Sequence, residues 1–143
     1  MIVHQGKIIG EGYHHKAGEN HAEINAINSV KDKSLIPEST IYVSLEPCAH
    51  YGKTPPCALK IKELGFKKVV IGAMDSHDKV NGKVKKIIQD AGIEAVSGIL
   101  EKECIELNKR FFTYHEKKRP YIILKWAETA DGKIGSGTAE RLL

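Results

Sequence analysis

His21-Ala22-Glu23 and, after a helix-length interval and a strand-like run, Glu46-Pro47-Cys48-Ala49-His50-Tyr51-Gly52-Lys53-Thr54-Pro55-Pro56-Cys57 set the organisation of this chain. The two segments hold one imidazole, two thiols and a carboxylate that need not be a ligand. Three protein ligands of nitrogen and sulfur type suit a catalytic zinc, which keeps its fourth position open. His21, Cys48 and Cys57 are the expected metal ligands, and Glu23 is the expected proton carrier. Pro55 and Pro56 fit a helix start, because proline is tolerated in the first turn. Cys57 then stands near a helix N-terminus, where the dipole favours a thiolate. Cys48 follows the apolar, β-branched run Thr40 to Leu45, which reads as a buried strand.

Outward from this stretch the chain alternates strand and helix. Ile2-Val3 and Lys7-Ile8-Ile9 flank Gln5-Gly6 and read as a hairpin. Residues 10–20 form a glycine-rich polar loop. Asn20 is the expected N-cap of a helix beginning at His21, with Glu23 completing a capping box. Ala22, Ala26 and Ile27 share one face of that helix, Val30 follows, and Ile36-Pro37 closes the helical region. A helix is expected from about Pro56 to Leu64, stopped by Gly65. A strand follows over 67–72, then a helix marked by Val84, Ile87, Ile88 and Ala91 with Gly92 as its stop. A short strand covers 93–96, and one long helix covers 99–116. The order implies a mostly parallel sheet with helices on both faces, after an antiparallel opening pair.

The pattern His-x-Glu followed by Pro-Cys and a second cysteine resembles that of the zinc nucleobase deaminases. The interval between the cysteines, residues 49–56, is longer than the short Pro-Cys-x-x-Cys form. With His21, Glu23, Pro47, Cys48, His50, Gly52, Thr54, Pro55, Pro56 and Cys57 in place, residues 1–116 resemble the riboflavin-biosynthesis pyrimidine deaminase. The resemblance implies a three-layer α/β/α, cytidine-deaminase-like fold, in which the family's N-terminal helix is absent here. It implies a single zinc ion and, as substrate, 2,5-diamino-6-ribosylamino-4(3H)-pyrimidinone 5′-phosphate. It also implies substrate contacts at His14, His50, Lys53, Thr54, Asp75 and His77, the last standing where the family often has asparagine. Lys53 is the expected phosphate contact, as a point charge.

Residues 117–143 read as a linker and the start of a second domain. His115-Glu116-Lys117-Lys118-Arg119-Pro120 is a charged break ending in proline. Arg119, Pro120, Lys125, Ala127, Asp131, Gly132 and Lys133 resemble the opening of the family's reductase domain. NADPH would serve that reductase only, and this stretch is too short to bind it.

The remaining composition narrows the classes. The excess of 22 Lys and Arg over 18 Asp and Glu gives a net charge of +4, which suits an anionic small substrate without requiring nucleic acid. Aromatic residues are 6% of the chain, few for a stacking nucleic-acid reader. No apolar run reaches membrane-spanning length. The first residues lack the pattern of a signal peptide, so a cytoplasmic place is expected. The expected partner is a small phosphoribosyl pyrimidine, with no nucleic acid, no membrane and a possible homo-oligomer. With two of the three cysteines on the metal, no disulfide framework is expected, and Cys104 reads as core. Two other readings stay open at this level. One is a nucleobase or tRNA deaminase of the same fold. The other is a structural zinc module or inactive fragment, with His50 as a fourth ligand.

Overall fold

The computed structural model describes residues 1–76 and 82–134. Five strands form one sheet in the order β2-β1-β3-β4-β5. β1 (Ile2–His4) and β2 (Lys7–Gly10) are the expected hairpin. Gln5 and Gly6 both have positive φ, 47° and 75°, as a two-residue turn matched to strand twist requires. β1 pairs antiparallel with β3 (Thr40–Leu45). β3, β4 (Lys68–Ala73) and β5 (Glu94–Ser97) are parallel. The crossovers between them carry α2 (Cys57–Leu64) and α3 (Lys83–Asp90). α2 ends on Gly65 at φ 64°, a left-handed position that favours glycine. The expected parallel sheet with an antiparallel opening pair is therefore what forms.

Strand alternation distributes the apolar residues to two faces. Ile41, Val69, Ile71 and Ala95 belong to one core with Ile2. On them pack Ala26, Ile27 and Val30 of the α1 region, Ala58 and Ile61 of α2, and Val84 and Ile88 of α3. The other face is covered by α4 (Glu101–Leu107), which approaches β4 at Gly72. A Cβ on Gly72 would lie 2.2 Å from the Cys104 sulfur. Cys104 thus packs on the sheet but stays half-exposed, less buried than its reading as core.

Three boundaries differ from the sequence reading. α1 spans Ala22–Ser29, and His21, not Asn20, is its N-cap. The His21 carbonyl accepts the first helical bond, from Asn25 N–H at 3.1 Å, while its imidazole turns to the thiols instead of capping. No capping box forms, because Glu23 is then the second helical residue. α1 also stops before Ile36-Pro37, which lie in a separate 3-10 helix, Lys33–Glu38. The Lys33 ammonium donates to the Ile27 and Asn28 carbonyls, satisfying groups exposed by the end of α1. Last, the expected long helix over 99–116 is broken at Asn108 into α4 and α5 (Lys109–Lys117). The Asn108 carboxamide donates to the Cys104 carbonyl at 2.8 Å, so its side chain joins the backbone N–H on a helical acceptor.

The approach to α1 is set by Gly12. A Cβ there would fall 2.3 Å from Ala26 N and 2.8 Å from Ala22 O, both rigid helix backbone. Gly12→Ala is expected to destabilise the fold by about 1–3 kcal/mol through overpacking. Urea denaturation measures this as a lowered midpoint, and an unchanged midpoint would mean the segment is free to move away from α1.

Candidate metal centre

Three elements converge at the C-terminal edge of the parallel strands, where open α/β sheets bind ligands. His21 sits at the N-terminus of α1. Cys48 follows β3, and Cys57 is the first residue of α2. The His21 Nδ1 lies 3.5 Å from each of the two sulfurs. All three donor atoms fall within 4.8 Å of one another. A tetrahedral zinc with bonds of about 2.05 Å to nitrogen and 2.3 Å to sulfur separates those ligands by about 3.6 Å. The trio therefore fits zinc in both donor type and spacing. Among the described residues no other His, Cys, Asp or Glu joins the group. His50 lines the neighbouring cavity and does not complete a closed four-ligand site.

The N-terminus of α2 prepares the sulfurs. Cys57 N–H donates to Cys48 Sγ at 3.3 Å, and Ala58 N–H donates to the Cys48 carbonyl at 3.1 Å. The Cys48 thiol is lowered to about 5, chiefly because the Cys57 thiol donates to it. The Cys57 N–H and the nearby imidazole add to that effect. Cys57 moves the other way, because it is the donor in that bond and is buried.

Glu23 is 8% exposed, and burial pushes its carboxyl above the usual range. The negative charge of Cys48 pushes in the same direction, while His21 and a hydrogen bond with Cys57 oppose it. This carboxyl is thus beside the trio without belonging to it.

His14, His50, Lys53 and Thr54, expected as substrate contacts, line one open cavity of about 260 Å³ together with His21 and Cys48. The stem of Lys53 crosses Gly18, with Cδ 3.4 Å from the place of a Cβ. Gly18 has φ 95°, so a side chain there would be strained. Asp75 is not part of that lining; its backbone N–H is bound by Glu46. His77 lies outside the described residues.

Glu46 is a residue whose role the sequence reading missed, although it opens the Pro-Cys motif. It is 4% exposed. Its Oε2 accepts from Asp75 N–H at 3.3 Å and Gly82 N–H at 3.1 Å, and its Oε1 accepts from Val84 N–H at 3.2 Å. One carboxylate thereby ties the end of β3 to the end of β4 and to the N-terminus of α3. These partners are all donors, so Glu46→Gln turns an amide N–H toward another N–H. A loss of about 1–3 kcal/mol is expected, read as a lower Tm in thermal unfolding. An unchanged Tm would remove Glu46 from the framework.

The family described as the cytidine and deoxycytidylate deaminase zinc-binding region matches residues 1–73, which include His21, Glu23, Cys48 and Cys57. The chain belongs to this deaminase family. Similarity to individual proteins extends beyond residue 73. It is 46% identical over 138 residues to the riboflavin biosynthesis protein RibD of Aquifex aeolicus, covering 96% of this chain and 38% of that protein. It is 47% identical over 112 residues to the diaminohydroxyphosphoribosylamino-pyrimidine deaminase of Buchnera aphidicola subsp. Schizaphis graminum, covering 78% of this chain and 75% of that protein. Among solved structures, Acinetobacter baumannii RibD (form 1) superposes with a TM-score of 0.85 at 41% identity, over 99% of this chain and 40% of that one. The Thermotoga maritima diaminohydroxyphosphoribosylaminopyrimidine deaminase/5-amino-6-(5-phosphoribosylamino)uracil reductase gives 0.82 at 42% identity, over 96% and 41%. The chain thus spans well under half the length of the RibD proteins it matches. The three-layer architecture expected from the sequence is that of the RibD deaminase structures.

Proposed function

We propose that the chain performs the hydrolytic deamination step of riboflavin biosynthesis. Its substrate would be 2,5-diamino-6-ribosylamino-4(3H)-pyrimidinone 5′-phosphate, and its products the corresponding 5-amino uracil and ammonia. The observation that carries this reading is a three-donor nitrogen and sulfur trio beside a buried carboxyl that is not part of it.

His21, Cys48 and Cys57 would hold the ion. A bound zinc supplies Lewis acidity that brings the pKa of water from about 15.7 to about 7. Glu23 carries the proton. Its carboxylate takes one from the attacking water and gives it to the ring nitrogen, then takes the second from the newly added hydroxyl and gives it to the departing amine, which leaves as ammonia as the carbonyl forms. Its raised affinity for protons supports this role, since a carrier must both accept and release near neutral pH. His14, His50 and Thr54 would orient the pyrimidine and ribose in the cavity. Lys53, with its stem laid across Gly18, would meet the phosphate. Asp75 and His77 would complete the ribose side.

Residues 1–116 form the deaminase unit in this reading, and 117–143 open a second one. Support comes from the run after Pro120, where Ile122, Ile123, Leu124 and Trp126 are each more than 60% exposed. Such a run fits a strand that is buried only against further chain. NADPH has a place only with such a reductase unit. No helix among the described residues is long and apolar enough to cross a membrane.

The deciding experiment measures zinc per chain, then ammonia release from the phosphoribosyl diaminopyrimidine, from cytidine and from an adenosine-containing RNA. Release from the first alone is expected. Release from cytidine or RNA alone would move the chain to another branch of the family, and none from any would leave a zinc module.

A further inference from the structure

Residues 13–20 carry His14 over the metal trio, and one side chain of α1 holds both ends of that loop. Asn25 lies one helical turn beyond His21, so the two share a face of the helix. Its Nδ2 donates to the Tyr13 carbonyl at 2.8 Å and to the Asn20 carbonyl at 3.3 Å. A carboxamide nitrogen has two hydrogens, and both are used. The amide orientation follows, because its oxygen could bond neither carbonyl. The close packing of Gly12 on Asn25 and Ala26 brings Tyr13 within reach.

The same Asn20 carbonyl lies 3.0 Å from His14 Nδ1. A carbonyl only accepts, so the neutral ring carries its hydrogen on Nδ1. Nε2 is then the ring atom left for a ligand, as an acceptor. The ring is also held edge-on to His21, with centroids 5.2 Å apart and planes at 83°. We infer that Asn25 is a positioning residue that holds His14 in its Nδ1–H form, so that Nε2 accepts a hydrogen bond from a hydroxyl or amino group of the substrate. This deepens the deaminase reading and rests on it for the identity of the ligand.

Histidine-selective ¹⁵N NMR of the zinc-loaded chain tests the clamp at pH ~8, above the usual histidine pKa of about 6.5. His14 is expected as the Nδ1–H tautomer, and Asn25→Asp, which sets carboxylate oxygen against two carbonyls, is expected to abolish that preference. Asn25→Ala provides the same loss without repulsion, should the aspartate variant fail to fold. An Nε2–H tautomer in the unsubstituted chain, or an unchanged tautomer in both variants, overturns the assignment. In kinetics with the phosphoribosyl diaminopyrimidine, Asn25→Ala is expected to raise KM about tenfold, the scale of one hydrogen bond, with kcat changed less than about twofold and zinc content unaltered. A merely structural role would lower active fraction and leave KM alone, and that result also overturns it. Should the unsubstituted chain release no ammonia, the deaminase reading falls, while the tautomer measurement still decides the clamp.

Discussion

Glu23→Gln is expected to keep zinc at the unsubstituted level while kcat falls by a factor of about 10²–10⁴, the usual contribution of a positioned proton carrier. The two parts of this outcome have separate causes. The metal trio comprises His21, Cys48 and Cys57, and Glu23 is not a member, so its charge can be removed without removing a donor atom. Glutamine has nearly the same volume, which matters at a position only 8% exposed. What is lost is the capacity to take and return a proton. The fold should gain slightly or stay level, since burial already opposes the charged form of this carboxyl. Metal analysis, a urea melt and ammonia release on one preparation separate these effects. Full turnover in the glutamine variant would remove Glu23 from the chemistry. Loss of zinc would instead make it part of the metal's support.

The second large effect is expected at Cys57. Cys57→Ser should reduce bound zinc to a small fraction, abolish turnover and lower Tm. The serine oxygen is a poor replacement, because it rarely ionises and forms shorter bonds than a thiolate sulfur. The position is also unforgiving, since Cys57 is fully buried as the first residue of α2 and its N–H already bonds Cys48 Sγ. A ligand bound only by the folded state stabilises it by RT ln(1 + [L]/Kd), about 4 kcal/mol at a thousandfold excess over Kd. Three elements, α1, the loop after β3 and α2, would be joined through a bound ion, so its loss should loosen them together. Chelation is the control. It should bring the unsubstituted chain down to the Tm of the variant and leave the variant unmoved. A serine variant that keeps zinc would place the ion elsewhere.

Much of the scaffold is visible in local patterns, because each pattern has a local cause. The β-branched run 40–45 and its mate at 68–73 became parallel neighbours as expected. Pro56 before Cys57 and Gly65 after Leu64 bracket α2 through their own backbone preferences. Among the described residues, the expected donors His21, Cys48 and Cys57 do come together, at the ends of elements that a parallel sheet brings near one another.

Two of the misreadings come from a distant contact prevailing over a local preference, and a third from a side-chain bond within one helical turn. Asn20 is the better capping residue by type, yet its carbonyl is engaged by His14 and Asn25, and His21 takes the cap because its ring is drawn to two sulfurs. The long helix after Ile99 has no proline or glycine to end it, yet Asn108 does so by bonding the Cys104 carbonyl. Glu46 shows no local reason to be buried. Its partners at Asp75, Gly82 and Val84 are supplied by a crossover whose return depends on the whole sheet.

The sequence by itself determined the order of strands and helices and offered a candidate donor set and a candidate proton carrier, because residue chemistry and periodicity are properties of short windows. Only the tertiary structure decided that the His21 imidazole stands 3.5 Å from each of two sulfurs, that Glu46 locks three segments, and that Asn25 and His14 share the Asn20 carbonyl. Those outcomes depend on how closely Gly12 lies against α1 and where the crossovers return, and such distances are settled by packing of the assembled core.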